Sequence, residues 1–365
     1  MLPYWILFLV FAAGAVESRN RLAGGGVDEL YQRHAPLHPI LAAAAFVPII
    51  MIGFRYEVGG DWFNYIDIFD AYSYLNFWES LRYQEPGYGV FNWFAHLIGV
   101  EIWAVNLGCA LIFTGGLVSF ARRQPNPWLA IVVAVPYLVI GVAMGYSRQA
   151  VALGCVMFGL SAVAGGSFPK FAMWVLLGTM FHRSAIVILP IVGLSYSRNR
   201  FQTIGLAAIA IVVAYYTVVV SGLDQYSRGY VEQEYESEGA PVRVAMNVVP
   251  ALIFLAFQRR FGSTATERTT WRNISLLALA SVVALFMIAS STIVDRLALY
   301  LIPLQIFVFS RLPIVFGQRD RPSGAMVLLV IGYSALIQFV WLNYANHAEH
   351  WIPFQFYPLI QSQFG

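Results

Sequence analysis

The sequence predicts an all-α, polytopic membrane protein with about 12 crossings. Three observations carry this. Apolar residues make up 59% of the chain and charged residues 11%, with a mean hydropathy of +0.66, where a soluble domain carries roughly 25% charge. Apolar stretches long enough to cross or nearly cross a bilayer recur along the whole length. The basic residues bunch into every second loop between those stretches.

The stretches fall at about 3–16, 36–53, 102–120, 127–145, 147–164, 169–195, 201–221, 243–258, 272–293, 296–311 and 323–343. His182-Arg183 interrupts 169–195, which reads as two short helices meeting at that pair. The first stretch has no basic residues ahead of it and reads as a retained span, not a cleaved leader. Cys109 and Cys155 both lie inside apolar stretches, so no disulfide framework is implied. No repeat or soluble domain is visible, and residues 1–365 read as one transmembrane domain.

Orientation follows from arginine placement. The loops 17–34, 121–126, 165–170, 196–200, 258–272 and 311–322 hold 15 of the 22 basic residues and five acids. The alternating set holds the other seven arginines and 14 acids. The basic set is assigned to the cytoplasm. Both termini then lie outside, as does the large loop 55–100. Within that loop Gly87–Gly99 is too short and too wet to cross, and reads as interfacial or re-entrant.

Loop 55–100 carries the densest chemistry. Arg55 to Tyr88 holds six carboxylates and eleven aromatic residues. The aromatics suit a membrane interface or stacking on sugar faces. The plainer reading is an amphipathic surface helix with its acids in water, and the two readings are compatible. Gly59-Gly60 places Asp61 at a backbone bend, where glycine permits close approach of a ligand. Glu85 precedes Pro86-Gly87, whose turn holds its backbone extended. Asp61 and Glu85 are therefore the best carboxylates for a general base. Asp67 and Asp70 are spaced D-x-x-D and read as a solvated face. His182 is the third candidate, as base, sugar hydrogen-bond donor or phosphate partner.

Four outer arginines sit at helix ends: Arg55, Arg148, Arg183 and Arg296. Arginine at membrane depth is costly and is usually paired or functional, and its planar fork suits phosphate bidentately. Four from separate spans at one face could clamp a diphosphate. The alternative for each is snorkelling or pairing with a neighbouring acid. Asp295 is the obvious partner for Arg296, whereas Arg148 has no acid beside it in sequence.

Other patterns carry less. His347 and His350 flank Glu349 without an evident further metal ligand. Gly24-Gly25-Gly26 has no following Lys-Ser/Thr and is no P-loop. The basic residues serve topology, with no nucleic-acid signature, and no cofactor or metal is implied. Residues 222–243, with Glu232, Glu234, Glu236 and Glu238, read as an acidic, mobile outer flap.

Five motifs in order resemble the EpsG family of exopolysaccharide proteins, within the broader Wzy-like polysaccharide polymerases. They are Arg55 with Gly60-Asp61-x-x-x-Tyr65, then Glu85-Pro86-Gly87-Tyr88, Ser147-Arg148-Gln149, Phe181-His182-x-Ser184, and Asp295-Arg296-x-x-x-Tyr300. Similar proteins carry Thr or Ser where this chain has Gly60. The resemblance implies a metal-independent membrane glycosyltransferase of GT-C-like architecture. It implies that oligosaccharide repeat units on undecaprenyl diphosphate are joined at the outer face of the bacterial cytoplasmic membrane. Donor and acceptor are then both lipid-linked, and a chain-length regulator or export partner is a further expectation. On this resemblance Asp61, Glu85 and His182 are catalytic. Arg55, Arg148, Arg183, Arg296, Tyr65, Tyr88 and Tyr300 then bind diphosphate or sugar.

Two other classes compete. A flippase or transporter of lipid-linked sugars needs charge on both faces or along a central path, and the spans read as nearly free of buried charge. A ligase would move the finished glycan to a different acceptor. A sugar O-acyltransferase fits less well, because no cytoplasmic donor histidine is evident.

Overall fold

In hydrocarbon a backbone has only itself to bond, so the apolar stretches wind into helices. The computed structural model describes residues 1–18, 38–197, 199, 201–206, 208, 209, 212, 239–287, 291–318 and 322–364. The acidic flap up to residue 238, Gly24–Gly26 and most of the stretch 201–221 lie outside the described residues.

The helices run in order: α1 (Leu2–Ser18), α2 (Pro39–Gly53), α3 (Trp62–Ala71), α4 (Phe77–Tyr83), α5 (Pro86–Leu97), α6 (Ile102–Ala121), α7 (Pro127–Ala143), α8 (Ser147–Ala164), α9 (Phe168–Thr179) and α10 (Arg183–Tyr196). The second half holds α11 (Ala240–Phe257), α12 (Ala265–Met287), α13 (Ser291–Ala298), α14 (Pro303–Val315), α15 (Gly324–Tyr344) and α16 (Tyr357–Phe364). A short turn at Leu299–Leu301 carries α13 into α14, making one rod over Val294–Val315. Among the described residues six helices are long and apolar enough to cross a membrane: α6, α8, α11, α12, the α13–α14 rod and α15. α1, α2, α7 and α10 are shorter apolar helices.

The rod and α8 form the buried centre, and α11, α12 and α15 turn most of their residues outward. Leu276, Val283, Leu328 and Leu336 are exposed on that outer ring, as a lipid-facing surface requires. The break at His182-Arg183 falls where the sequence places it. α9 stops at Thr179, and His182 is extended (φ −155°, ψ 114°) ahead of α10.

The loop between α2 and α6 forms three short helices. α3 buries Trp62, Tyr65, Ile68 and Phe69 on one face and leaves Asp67 and Asp70 exposed on the other. α4 starts on a reciprocal cap, with Asn76 and Glu79 each binding the other's backbone N–H at 3.0 and 2.9 Å. α5 starts at Pro86, whose missing N–H is harmless at a first helical position. The Gly87 N–H donates to Met180 O at 2.7 Å and pins that start to the end of α9.

A two-residue antiparallel ladder departs from the all-α expectation. Arg55 pairs with Phe356 and Tyr56 with Gln355. So short a pairing leaves no alternation in the sequence to detect. It joins the C-terminal tail to the loop 55–100. The tail is locked further by Trp351, whose indole donates to Ile140 O at 2.8 Å, while Tyr4 donates to Trp351 O at 2.6 Å. Ile140 lies in the last nine residues of α7, Val135–Ala143, which wind as a wider π-helix. The start of α1, the loop 55–100 and the tail thus gather at one end of the bundle.

Gly59 sits at this junction with φ +107°. Its N–H donates to His350 O at 2.8 Å, and an added Cβ would stand 2.3 Å from Met144 O. The close approach that its glycine permits is therefore to the protein's own backbone, which corrects the expectation of a ligand there. Gly60 is exposed, and its nearest neighbours to an added Cβ are His350 and Trp351 at 4.0 Å. Gly59→Ala is expected to destabilise by roughly 2–4 kcal/mol, from backbone strain plus the clash. Gly60→Ser is expected to stay within about 0.5 kcal/mol of the parent, as at an ordinary surface position. Thermal unfolding of the two variants in detergent checks the contrast; equal melting would show that Gly59 is not wedged.

Candidate active site

The first turn of α8 organises the site, because consecutive helical residues point in different directions. Ser147 Oγ accepts from Arg55 Nη2 at 2.7 Å. Gln149 Nε2 donates to Arg296 O at 3.0 Å. Between them, Arg148 Nη1 donates to both Gln84 Oε1 and Glu85 Oε2 at 2.8 Å. Three neighbouring residues thus bind the β-strand loop, the rod and the start of α5.

Arg55 is 1% exposed. Besides Ser147, its guanidinium donates to Ile52 O at 2.6 Å and Val58 O at 3.2 Å, and lies 5.7 Å from the Trp62 ring. Its fork is filled by the chain itself, so it brackets the loop from below and is set apart from the other three arginines.

Glu85 caps the N-terminus of α5 and is buried. Burial pushes its carboxyl up, but the Arg148 charge and then His182 outweigh it, and the group is held below the usual glutamate value. Its other oxygen lies 4.0 Å from Arg183 Nε. Glu85 is thus an ionised partner of arginine, with little basicity to offer. Tyr65 and Tyr88 wall Arg148, each ring 5.9 Å from its guanidinium carbon. Both rings are buried, 5.8 Å apart, and the Tyr88 hydroxyl has no hydrogen-bond partner among the described residues. They stand behind the cation, not on an open sugar-stacking surface.

Asp61 contrasts with Glu85. It occupies the cap position of α3 but makes no side-chain capping bond. Among the described residues its half-buried carboxylate has neither a hydrogen bond nor an ion pair. Burial raises its carboxyl above the usual aspartate value, and the Arg296 and Arg148 charges pull against that rise.

Arg296 is exposed, and its guanidinium has no hydrogen bond or ion pair among the described residues. The pairing with adjacent Asp295 that sequence proximity suggests is not made. Asp295 is instead gripped bidentately by Arg243, Nε to Oδ1 at 2.6 Å and Nη2 to Oδ2 at 2.7 Å. Removing that acid leaves Arg296 available to the site. Below it, Asn247 Nδ2 donates to Ala298 O at 3.1 Å and Gln305 Nε2 to Asn247 Oδ1 at 3.0 Å. This chain fixes α11 against the rod.

His182 Nδ1 lies 2.6 Å from Ser184 Oγ, which donates to Tyr300 OH at 3.1 Å. With the serine hydrogen given to Tyr300, its lone pairs face Nδ1–H. The tautomer assigned on that bond leaves Nε2 as the basic nitrogen. Glu85, Arg148, Arg296 and Arg183 all act electrostatically on this imidazole. The structure therefore gathers Asp61, Glu85, His182, Arg148, Arg183 and Arg296 at one end of the bundle, with Tyr300 beneath.

Sequence reasoning passed over Gln84, Ser147, Gln149, Ser184 and Arg243 as working side chains. Three of them lie inside the quoted motifs, and those motifs were the only available signal. A second charged cluster corrects the expectation of spans nearly free of buried charge. Arg311 of α14 is 2% exposed. It donates to Gln124 Oε1 at 2.9 Å and Phe261 O at 3.0 Å, lies 3.5 Å from buried Glu267, and sits 4.0 Å over the Phe307 ring. Paired on every side, it ties two loops of the opposite end to the rod. Among the described residues no three His, Cys, Asp or Glu side chains gather as a metal site.

The helices and this site define a multi-pass α-helical membrane protein with an arginine-rich polar site at one end of its bundle. The EpsG family model matches residues 40–356, most of the chain. The protein belongs to the EpsG family. No curated protein and no solved structure gives a significant match.

Proposed function

We propose that the protein is a polysaccharide polymerase, joining oligosaccharide repeat units carried on undecaprenyl diphosphate at the outer face of the bacterial cytoplasmic membrane. On this reading it has about 12 spans, a GT-C-like architecture and both termini outside. Family membership supports the polymerase class. One observation carries the chemistry: a half-buried carboxylate, Asp61, without a hydrogen bond or ion pair among the described residues, lies under the influence of Arg148 and Arg296 at the same end of the bundle as Arg183 and His182.

In the reaction, a hydroxyl oxygen of the acceptor sugar bonds to the anomeric carbon of the donor. The carbon–oxygen bond to the diphosphate breaks, and its electron pair leaves with undecaprenyl diphosphate. Asp61 takes the hydroxyl proton. Arg148, Arg183 and Arg296 stabilise the charge that develops on the diphosphate, where fixed cations in a water-poor site act most strongly. Arg55 and Gln149 hold the elements that carry these groups. Charge neutralisation falls to arginine, and no metal is called on.

The test is incubation of the pure protein, in lipid nanodiscs, with lipid-linked repeat units, followed by a gel. A ladder of lengthened chains is the expected result. Transfer only to an unlike acceptor would replace the reading with a ligase. Movement of the lipid between leaflets without lengthening would replace it with a flippase.

A further inference from the structure

An apolar groove of about 170 Å³ lies beside the candidate active site. α10 contributes Val187 and Ile191, α12 contributes Ala280 and Ala284, and the rod contributes Leu297 and Tyr300. Tyr300 belongs to both regions. Its ring lines the groove while its hydroxyl accepts from Ser184, which holds His182.

The groove lies close to the arginines. Arg183 opens α10 four residues ahead of Val187, through a turn of 3-10 helix. Arg296 falls in the same turn of the rod as Val294 and Leu297, which line the groove, although consecutive helical residues point in different directions. The groove is thus within about a turn of both cations along the chain. Its small α12 residues leave the space that leucines would fill. Ser281 is a polar lining residue, and its hydroxyl is already bound to Ala278 O at 2.7 Å. Among the described lining residues the other side-chain polar group is the Tyr300 hydroxyl, which is engaged with Ser184, so the walls offer little to a sugar or an ester. The matching ligand is an amphiphile with an anionic head and a hydrocarbon tail beginning directly at that head.

Resting on the polymerase reading, we propose that this groove receives the isoprenoid chain of the diphosphate-linked donor, at the units nearest the diphosphate. In a prenyl diphosphate the hydrocarbon starts at the phosphate's own oxygen. In a phospholipid, glycerol and ester groups intervene and would fall against unanswering apolar walls. A dry cavity of about 150 Å³ takes one benzene, so this groove admits on the order of six carbons, and the rest of the chain continues into the bilayer. Ala280, exposed at the rim, marks where it leaves.

Two measurements test this. The first compares two donors carrying the same repeat unit, one on undecaprenyl diphosphate and one on a diphosphate with only a methyl group. Wild type is expected to prefer the prenyl donor in kcat/KM by at least about tenfold, the effect of burying two methylene groups or so. Ala284→Trp, checked for folding by its melting temperature, is expected to erase that preference. Retained preference in a folded Ala284→Trp overturns the groove. Failure of wild type to lengthen either donor overturns the polymerase reading instead. The second needs no variant. A prenyl diphosphate bearing a photoreactive group on its first isoprene unit should label the 187–191 or 277–284 peptides. That labelling should be competed by undecaprenyl diphosphate and not by phosphatidylglycerol. Labelling elsewhere, or equal competition by phosphatidylglycerol, shows an ordinary lipid-facing crevice and overturns the proposal.

Discussion

Asp61→Asn is expected to slow chain lengthening by about 10²–10⁴-fold, the usual span of a general base, while donor binding survives. Asparagine keeps the size and the hydrogen-bonding atoms of the side chain but cannot accept the proton. The case rests on contrast within one site. Glu85 is taken up by Arg148 and Arg183 and held below its usual value, whereas Asp61 has no hydrogen bond or ion pair among the described residues and is pushed above its own. The pH profile follows from that direction. A base whose value is raised loses function as pH falls through it, so the acid limb of kcat/KM should lie above the usual aspartate value and depend on residue 61. Stability runs the other way. For an acid whose folded value is raised, the native state binds more protons between the two values, and stability falls as pH rises through that window. At neutral pH the ionised Asp61 is therefore a liability, and Asp61→Asn should melt higher than the parent while being far slower. A gain in stability with loss of turnover separates catalysis from simple damage. If Asp61→Asn lengthens chains at the parental rate, the base moves to His182, and His182→Gln under identical expression should then be inactive.

What could be read from the sequence is what hydrocarbon enforces. Backbone that must satisfy itself winds into helices, and a basic imbalance between alternate loops orders them. The break at His182-Arg183 was legible because two polar residues interrupt an apolar run. The site was legible as a set of motifs but not as a set of roles, because its pairings are made across the fold. Arg148 reaches Glu85 from 63 residues away, Arg55 reaches Ser147 from 92, and Arg243 takes Asp295 from 52. Two of these pairings reverse a local expectation. The arginine with no acid beside it in sequence has one in space, and the arginine with an acid beside it pairs with none among the described residues. Gly59 and Gly60 look interchangeable in the chain, yet one is wedged against Met144 and the other faces outward. That difference depends on where α7 ends, which no local pattern records. Gly60, on its open side, has room for a side chain.

Arg148→Lys is the second large effect expected, a fall of about 10²–10³-fold in chain lengthening, the scale of losing one fixed donor to a developing anion. Lysine keeps the charge but replaces a planar fork by a single point. One nitrogen of Arg148 already serves Gln84 and Glu85 at 2.8 Å, and its guanidinium lies between the rings of Tyr65 and Tyr88. Tyr65 also hydrogen-bonds the guanidinium, and the N–H groups left over are what can meet a diphosphate while the others stay bound. An ammonium cannot do both. A purely structural role makes a different forecast, and Glu85 distinguishes them. Its depressed value means that the Arg148 pairing stabilises the fold above the usual glutamate value and that this stability is lost as pH falls through the folded one. Glu85→Gln removes that contribution but leaves the fork's charge, so it should cost stability at neutral pH and comparatively little turnover. Arg148→Lys should preserve part of the stability and lose most of the turnover. If instead the two variants lose activity in proportion to their loss in melting temperature, Arg148 is a strut between α8 and α5, and the diphosphate is left to Arg183 and Arg296.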